Sequence, residues 1–296
     1  MTLLDLFGGD RVFFTVAAGI FGLLIGSFLN VVIFRLPIIL QRQWQAQARE
    51  LIVEGGCSFN GEYRDNYPSD FGLVMPRSAC PHCGYAIPGW LNIPLLSWLF
   101  LRGKCKQCKD PISVRYPIIE AMTGAAFAFA AAEFGPDGLL FGAMLFTALL
   151  IAMAGIDWDT KLLPDQLTYP LLWLGLLFNM SGGFVPLNDA VIGAVAGYLS
   201  LWSVYWAFKL LTGKEGMGYG DFKLFAALGA WLGWQQLPII IILAAVAGLV
   251  IGGSMVLFSR NNDRQIPFGP YLAIAGWCSL YFGADWMSAY LRASGL

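Results

Sequence analysis

The chain has 296 residues, of which 57% are hydrophobic and only 12% carry a charged side chain. A soluble domain usually has about 25% charged residues, so this composition excludes an ordinary soluble protein and indicates that most of the chain lies in membrane lipid. The formal net charge of −1 excludes the strongly basic surface of a nucleic-acid-binding protein, and we expect no nucleic-acid partner.

About eight apolar stretches follow one another along the chain, and a spanning helix needs roughly 20 mostly apolar residues. We predict them at residues 12–34, 116–134, 139–156, 167–180, 190–211, 222–234, 237–258 and 268–282. The sixth is short, so we expect it to be tilted, broken or shielded by protein. The first is predicted to be a retained helix, because Asp5 and Asp10 precede it and only Arg11 is basic, unlike the start of a signal peptide.

Basic residues indicate the orientation, because loops rich in Lys and Arg stay in the cytoplasm. With residues 35–115 inside and eight helices threaded in order, all but two of the 18 Lys and Arg residues, Arg11 and Arg292, lie inside. Both termini then lie outside. The predicted fold is an all-α polytopic membrane protein: a first helix at 1–34, a polar cytoplasmic loop at 35–115 and a seven-helix bundle at 116–296.

Two CxxC pairs lie in the polar loop, at Cys80 and Cys83 and at Cys105 and Cys108, with 21 residues between the pairs. Four thiolates at this spacing can surround a zinc ion tetrahedrally, and disulfides are disfavoured in the cytoplasm. Because four Cys ligands leave no position for a reactive water, we expect a structural zinc site.

His82 is the only histidine of the chain, and we interpret it as a solvated residue of the zinc knuckle. A Ser-His-Asp triad, a Cys-His pair or a HExxH site would each need this histidine, and none of their other members accompanies it. Of the two remaining cysteines, Cys278 is expected to pack within the last helix, and Cys57 is a free thiol without an assigned use.

Two aspartates lie at the predicted cytoplasmic ends of membrane helices, where an acid is functional by default because burying its charge is unfavourable. Asp157 ends the third stretch, and Asp221 precedes the sixth. Two neighbouring carboxyl groups cannot both ionise, so one can take a proton from water while the other protonates a leaving nitrogen. This is aspartic-protease chemistry, and Gly218 and Gly220 would let backbone approach Asp221 closely.

The residues alone leave other interpretations open. Asp157 and Asp221 could act as helix caps or ion-pair partners, with Asp221 at the N-cap of the sixth helix. A proton-coupled transporter would need polar residues across the bundle, for which Asn179 and Ser200 are the main candidates. In a zinc-stabilised membrane scaffold, the cysteines would matter and the aspartates would not.

Several separated motifs together resemble the type IV prepilin peptidases, whose GxGD motif is a signature of membrane aspartyl proteases. The resemblance covers nearly the whole chain in order. The motifs are GSFLNVV at 26–32, RLP at 35–37, NIP to Trp98 at 92–98, RYP with Glu120 at 115–120, AGIDWD at 154–159, LPD at 163–165, GYGD at 218–221 and PFGP at 267–270.

The resemblance implies an enzyme of the bacterial inner membrane that cleaves the leader of prepilins and of type II secretion pseudopilins at the cytoplasmic face, after a glycine. It implies catalysis by Asp157 and Asp221 and zinc ligation by the two CxxC pairs. Members with the long cysteine-bearing loop also N-methylate the new terminal residue with S-adenosylmethionine. No glycine-rich cofactor motif identifies residues that would bind this cofactor.

Other polar residues near the expected site have less defined roles. Asp159 and Asp165 are expected to tune the charge of the site or to cap the fourth helix. Glu120 is expected to form a structural ion pair, and Lys214 and Lys223 are expected to be anchors at the membrane interface.

Overall fold

The computed structural model describes residues 11–56, 67–68, 70–252 and 267–294. The expectations for Asp5, Asp10, Cys57, Arg260 and Arg264 fall outside these residues. Within the described ranges the chain is helical, with two isolated β-bridges and no strand. Its helices, in chain order, are α1 (Arg11–Glu54), α2 (Leu96–Phe100), α3 (Arg115–Phe134), α4 (Gly138–Thr160), α5 (Asp165–Met180), α6 (Leu187–Thr212), α7 (Tyr219–Leu232), α8 (Leu237–Ala247) and α9 (Gly269–Ser294).

Five helical segments of the described part are long and apolar enough to cross a membrane, namely α1, α3, α4, α6 and the segment Trp234–Gly252 that contains α8. These segments confirm the prediction of an all-helical, multi-pass membrane protein. Length and hydropathy thus identify five of the eight predicted spans among the described residues. Helices α5 and α7 have only 16 and 14 residues, and α9 is long enough but less apolar.

The described residues fall into two compact units. We call Ala17–Ala125 the N-terminal unit, and the described residues before and after it the bundle unit. Helix α1 has 44 residues, which at 1.5 Å per residue is about 66 Å. A bilayer with its headgroups is about 40–45 Å thick. The helix therefore continues well past Phe34, the predicted end of the first span, and ends only at Glu54.

Two arginines of α1, seven residues apart, hold the backbone that precedes the first CxxC pair. Arg35 donates to the carbonyls of Gly72 and Pro76 at 2.9 and 2.8 Å, and Arg42 donates to two carbonyls at residues 67–68, both at 2.8 Å. Both guanidinium groups also lie within 5.4 Å of the ring centre of Phe71. These contacts fasten the segment that leads into the CxxC pairs along the part of α1 that follows Phe34.

Helix α7 is the most enclosed element of the bundle unit: from Asp221 to Leu232, every residue except Lys223 is buried. The expectation that the short sixth stretch is shielded by protein is therefore confirmed. At its far end, Trp231 lies 5.2 Å from the ring of Phe146 and 5.3 Å from that of Phe178. Because protein surrounds α7, this helix can be stable although it is too short to span the lipid by itself.

Glycines allow α6 and α7 to approach each other closely. A Cβ on Gly193 would overlap the carbonyl of Gly229, and a Cβ on Gly229 would overlap the carbonyl of Gly193. A Cβ on Gly197 would lie 2.7 Å from the carbonyl oxygen of Phe225. Small residues at such contacts are typical of membrane helices, whose association depends on close packing rather than on the exclusion of water. This contact fixes the position of α7, and therefore of Asp221 at its start.

Candidate active site

Asp157 lies in the last turn of α4 and is 5% exposed. The helix ends just after it, because Lys161 adopts a left-handed conformation with φ of 57° and its N–H donates to the Asp157 carbonyl at 2.8 Å. The side chain has a partner much further along the chain. Its Oδ2 accepts a hydrogen bond from the backbone N–H of Gly269, the first residue of α9, at 2.9 Å. Asp157 is thus held where the end of one helix meets the start of another.

Asp221 is the third residue of α7 and is 8% exposed. The N-cap residue of this helix is Gly218, so the interpretation of Asp221 as the N-cap is wrong. Its carboxyl group nevertheless interacts with the backbone N–H of Gly218, as the third residue of a capping box does. A contribution to the helix start does not prevent a chemical role, because a carboxylate has several acceptor positions.

The structure brings the two carboxyl groups, which lie far apart in sequence, close enough to interact electrostatically. Leu163, which follows α4, packs against the starts of α7 and α9. A Cβ on Gly269 would lie 2.6 Å from Asp157 Oδ2 and 3.1 Å from Leu163 Cδ1, and a Cβ on Gly220 would lie 2.7 Å from Leu163 Cβ. The glycines of two sequence motifs, GYGD and PFGP, are therefore required for the close approach of three segments around the acids.

The remaining acids near the site have different surroundings. Asp159 is exposed. Asp165 begins α5 without a side-chain cap and pairs with Lys223 at 2.6 Å, and the Lys223 ammonium also lies 5.0 Å from the ring centre of Tyr169. This ion pair joins α5 to the first turn of α7, two residues from Asp221. The sequence did not predict the pairing, since its partners belong to different helices and are distant in the chain.

A second polar contact holds the glycine-rich connection that enters α7. Lys209, in the last turn of α6, donates to Glu215 at 2.8 Å and to the Tyr205 hydroxyl at 3.2 Å. Gly216 packs against Phe208, whose ring carbon a Cβ would meet at 2.9 Å. The segment 213–218 is therefore tied back to α6 immediately before Asp221.

The four cysteines of the CxxC pairs meet in the N-terminal unit. Their Sγ atoms all lie within 4.8 Å of one another, with 3.7 Å between Cys80 and Cys108 and 4.0 Å between Cys83 and Cys105. Zinc–sulfur bonds of about 2.3 Å in a tetrahedron place sulfur atoms about 3.8 Å apart, so the four side chains fit a zinc ion.

Backbone turns prepare the two CxxC pairs for a metal. The residues that follow the pairs, Gly84 and Lys109, have φ of 70° and 63°, and each N–H returns to the carbonyl of the first cysteine of its pair. The backbone N–H groups of Cys108 and Gln107 lower the pKa of the Cys105 thiol to about 6, whereas the Asp110 N–H is outweighed by burial and the neighbouring thiols, which raise the pKa of the Cys108 thiol to about 12. Cys105 therefore forms the metal-binding thiolate more readily than Cys108. His82 is outside this cluster and pairs with Asp110 at 3.1 Å, in agreement with a solvated knuckle residue.

Glu120 is buried in the N-terminal unit, where its Oε2 accepts a hydrogen bond from the backbone N–H of Leu95 at 2.8 Å. The predicted ion pair is not found among the described residues. Leu95 has φ of 59°, a conformation that places its N–H outside any helix and leaves it in need of an acceptor. Backbone donors carry no residue-type signal, so the sequence could not identify this partner.

The chain is similar to known proteins along its whole length. Residues 144–253 match the type IV leader peptidase family, and residues 20–134 match the bacterial peptidase A24 N-terminal domain. A protein of Aeromonas hydrophila named prepilin leader peptidase/N-methyltransferase is 55% identical over 273 residues, 92% of each chain. Proteins of the same name from Stutzerimonas stutzeri and Pseudomonas aeruginosa are 50% and 49% identical and cover this entire chain and at least 99% of their own.

No solved structure gives a significant match to the chain. The relatives nevertheless decide the family, because they share half of their residues with this chain and are aligned with it from end to end. The chain is therefore an enzyme of the type IV leader peptidase family.

Proposed function

We propose that this protein is an aspartic endopeptidase that removes the leader of type IV prepilins and of type II secretion pseudopilins. Asp157 and Asp221 are its catalytic pair. The observation that carries the proposal is the placement of two buried carboxyl groups within electrostatic reach of each other, one in the last turn of α4 and one in the first turn of α7. The names of the relatives supply the prepilin substrate class.

The proposed reaction uses the two carboxyl groups with one proton between them, since two buried neighbouring acids do not both ionise. The ionised carboxylate takes a proton from a water, whose oxygen attacks the scissile carbonyl carbon. The protonated carboxyl group hydrogen-bonds the carbonyl oxygen and then gives its proton to the leaving nitrogen. The Gly269 N–H holds Asp157 in place during both steps.

The proposed topology has eight spans, of which the short α7 is enclosed by the bundle and the short α5 packs against it with one face only, and it places the site at the cytoplasmic face of the inner membrane. The excess of Lys and Arg in the loops assigned to that side supports it. The substrate enters as a hydrophobic helix with its leader on that side and is cut after a glycine. Cleavage requires extended backbone, and Gly218, where an added Cβ would meet no atom closer than 3.7 Å, leaves room for such a strand beside Asp221.

The alternative of a proton-coupled transporter finds no support in its main candidate residues. Asn179 is buried, but its side chain donates to the carbonyls of Ala230 and Trp231 and accepts from the N–H of Val185. Ser200 donates to the Gly197 carbonyl of its own helix. Both side chains thus satisfy backbone groups and do not extend a proton path from the aspartates.

We further propose that the protein N-methylates the new terminal residue, as the names of its relatives indicate. S-adenosylmethionine would supply the methyl group. The described residues contain no β-strand and therefore no glycine turn after a strand, and no residues are assigned to its binding. The four cysteines would hold a zinc ion that stabilises the knuckles rather than one that takes part in cleavage, because no open coordination position remains.

Cleavage of a prepilin-like peptide by the detergent-solubilised enzyme tests the catalytic pair. We expect Asp157→Asn and Asp221→Asn each to lower kcat at least about 100-fold, the range in which positioned acids and bases contribute. The matched control is Asp285→Asn, which changes an exposed acid in the second half of α9 and should retain activity within about twofold. All variants are compared by elution profile and thermal unfolding.

A folded Asp157→Asn or Asp221→Asn enzyme that cuts at the normal rate would remove that residue from the mechanism. The same peptide, cut first and then incubated with labelled S-adenosylmethionine, tests methylation separately. Wild-type enzyme that cuts but transfers no label would overturn the second activity alone.

A further inference from the structure

An apolar face is exposed on the N-terminal unit between the two CxxC pairs. Helix α2 is only five residues long, yet Leu96, Leu99 and Phe100 are 51%, 62% and 84% exposed. Their spacing of three and four residues puts them on one face of the helix. Trp90 and Ile93, in the turn just before α2, are also exposed, at 61% and 47%. An apolar patch of this kind marks a surface that contacts a partner or a membrane.

The other side of α2 is fixed to the knuckle. The Trp98 Nε1 donates to the Ile112 carbonyl at 3.2 Å, and a Cβ on Gly103 would lie 2.9 Å from the Trp98 ring. The exposed face is therefore held outward by packing on the opposite side and cannot turn inward without loss of these contacts.

The turn before α2 is hydrogen-bonded to a residue within the predicted membrane helix α3. Glu120 is the sixth residue of α3 and binds the N–H of Leu95. At the same level, a Cβ on Gly26 of α1 would lie 2.8 Å from the Glu120 Cα. Gly26 precedes Phe34, where the first apolar stretch ends, by eight residues, or about 12 Å along a helix. The apolar face thus lies beside the apolar stretch of α1 and not beyond its end.

Backbone groups of this turn are satisfied from within the protein. The N–H of Ile93 donates to the Ser97 hydroxyl at 3.1 Å, that of Leu95 donates to Glu120, and that of Ser97 donates to the Ile93 carbonyl at 3.1 Å. Irregular backbone near lipid requires such partners, because no water is present to replace them.

Four basic residues that follow the segment of the apolar face form what we call its basic border, and one of them, Lys106, contacts the face. Residues 89–109 contain four basic side chains and no acidic one, the four being Arg102, Lys104, Lys106 and Lys109, all of them exposed. The Lys106 ammonium lies 4.5 Å from the ring centre of Trp90. An apolar face with a Trp and a basic border is the pattern of a segment that lies in the headgroup region of an anionic bilayer.

We propose that Trp90–Phe100 is an interfacial anchor that inserts its apolar face into the anionic leaflet beside α1 and α3, and so holds the CxxC knuckles at the membrane surface. The basic border argues for anionic phospholipid rather than for the basic leader of a substrate, which it would repel. The inference does not depend on the catalytic role of the aspartates.

An environment-sensitive fluorescent amino acid placed at Phe100 in the full-length protein, in nanodiscs of phosphatidylcholine with phosphatidylglycerol, tests the anchor. The matched control is the same probe at Leu51, a 70% exposed residue of α1 about 24 Å beyond Arg35 along the helix. We expect lipid-attached nitroxide to quench the Phe100 probe severalfold more than the Leu51 probe, and aqueous iodide to show the reverse order. Equal iodide quenching at the two positions would overturn the proposal by showing that Phe100 is exposed to water. Protection of Phe100 from both quenchers would overturn it by showing that a protein partner covers this face.

The basic border is tested with the same probe. Lys104→Gln with Lys106→Gln should lower nitroxide quenching at Phe100 at least twofold in anionic nanodiscs. The control, Lys104→Arg with Lys106→Arg, keeps both charges and should leave quenching unchanged. Equal quenching in the two double variants would exclude the electrostatic part of the anchor.

Discussion

The carboxylate of Asp157 and the backbone N–H of Gly269 form a 2.9 Å hydrogen bond between the end of α4 and the start of α9. The bond depends on a residue without a side chain, since a Cβ on Gly269 would lie 2.6 Å from the carboxylate oxygen that accepts it. The position of a proposed catalytic acid is thus set by a glycine far away in sequence.

Gly269→Ala is expected to move the Asp157 carboxylate and to lower kcat for leader cleavage roughly 10- to 100-fold, because displacements of about 1 Å have effects of this size. KM should change little, because no proposed substrate contact is removed. The matched control is Gly138→Ala at the start of α4, where an added Cβ meets no atom within 4 Å. Steady-state kinetics on a prepilin-like peptide measure both values, and an unchanged kcat for Gly269→Ala would show that the contact is dispensable.

The ion pair between Asp165 and Lys223 is expected to stabilise the bundle unit modestly, since partly exposed pairs contribute about 0.2–1 kcal/mol. A double-mutant cycle with Asp165→Asn and Lys223→Gln, followed by SDS titration of unfolding, measures the coupling free energy. Additive effects of the two substitutions would mean that the pair contributes no stability.

The contact between Glu215 and Lys209 should make the glycine-rich segment 213–218 sensitive to acid. The hydrogen bond from Lys209 holds the pKa of Glu215 below its ordinary value, which is about 4.3. The stabilisation is therefore present above that value and is lost as the pH falls through the lower pKa of the folded state. Hydrogen exchange of residues 213–218, corrected for the intrinsic pH dependence, should increase below about pH 4.

Glu215→Gln should show the faster exchange already at neutral pH, whereas Lys214→Gln, at the neighbouring exposed position, should behave like the wild type. Slow exchange in Glu215→Gln would indicate that the packing of Gly216 on Phe208 is sufficient to hold the segment.

Metal analysis of the purified protein should find about one zinc ion per chain, as expected for a single site with four cysteine ligands. Cys83→Ser and Cys105→Ser should each lose it, because three thiolates no longer close the tetrahedron. Cys278→Ser is the control, since this half-buried residue of α9 lies outside the cluster. Retention of zinc in both knuckle variants would contradict the assignment of ligands.

Side-chain chemistry made part of the candidate site predictable from sequence. Asp157 and Asp221 stand out because acids are rare in apolar surroundings, and the CxxC pairs have a spacing that few other structures require. The partners of these residues were not predictable, since Gly269 and Leu95 contribute only backbone N–H groups. Long-range pairs such as Asp165 with Lys223 also depend on how the helices pack, which the local sequence does not encode.

The fold was predictable to a similar extent. Hydropathy locates α3, α4 and α6 well, because each has an apolar stretch long enough to span the membrane. It does not predict the continuation of α1 to Glu54, because the residues after Phe34 are too polar to register as a span although they form a regular helix.

The enclosure of α7 has a consequence for biosynthesis. At 14 residues the helix is about 21 Å long, shorter than the roughly 30 Å hydrocarbon layer, and it has two ionisable side chains, Asp221 and Lys223, near its start. It is therefore a poor substrate for insertion on its own as it leaves the ribosome. We expect α7 to leave the translocon only together with α6, which is synthesised before it and receives it through the contact of Gly193 with Gly229, so that the aspartate of α7 enters the membrane already in contact with protein.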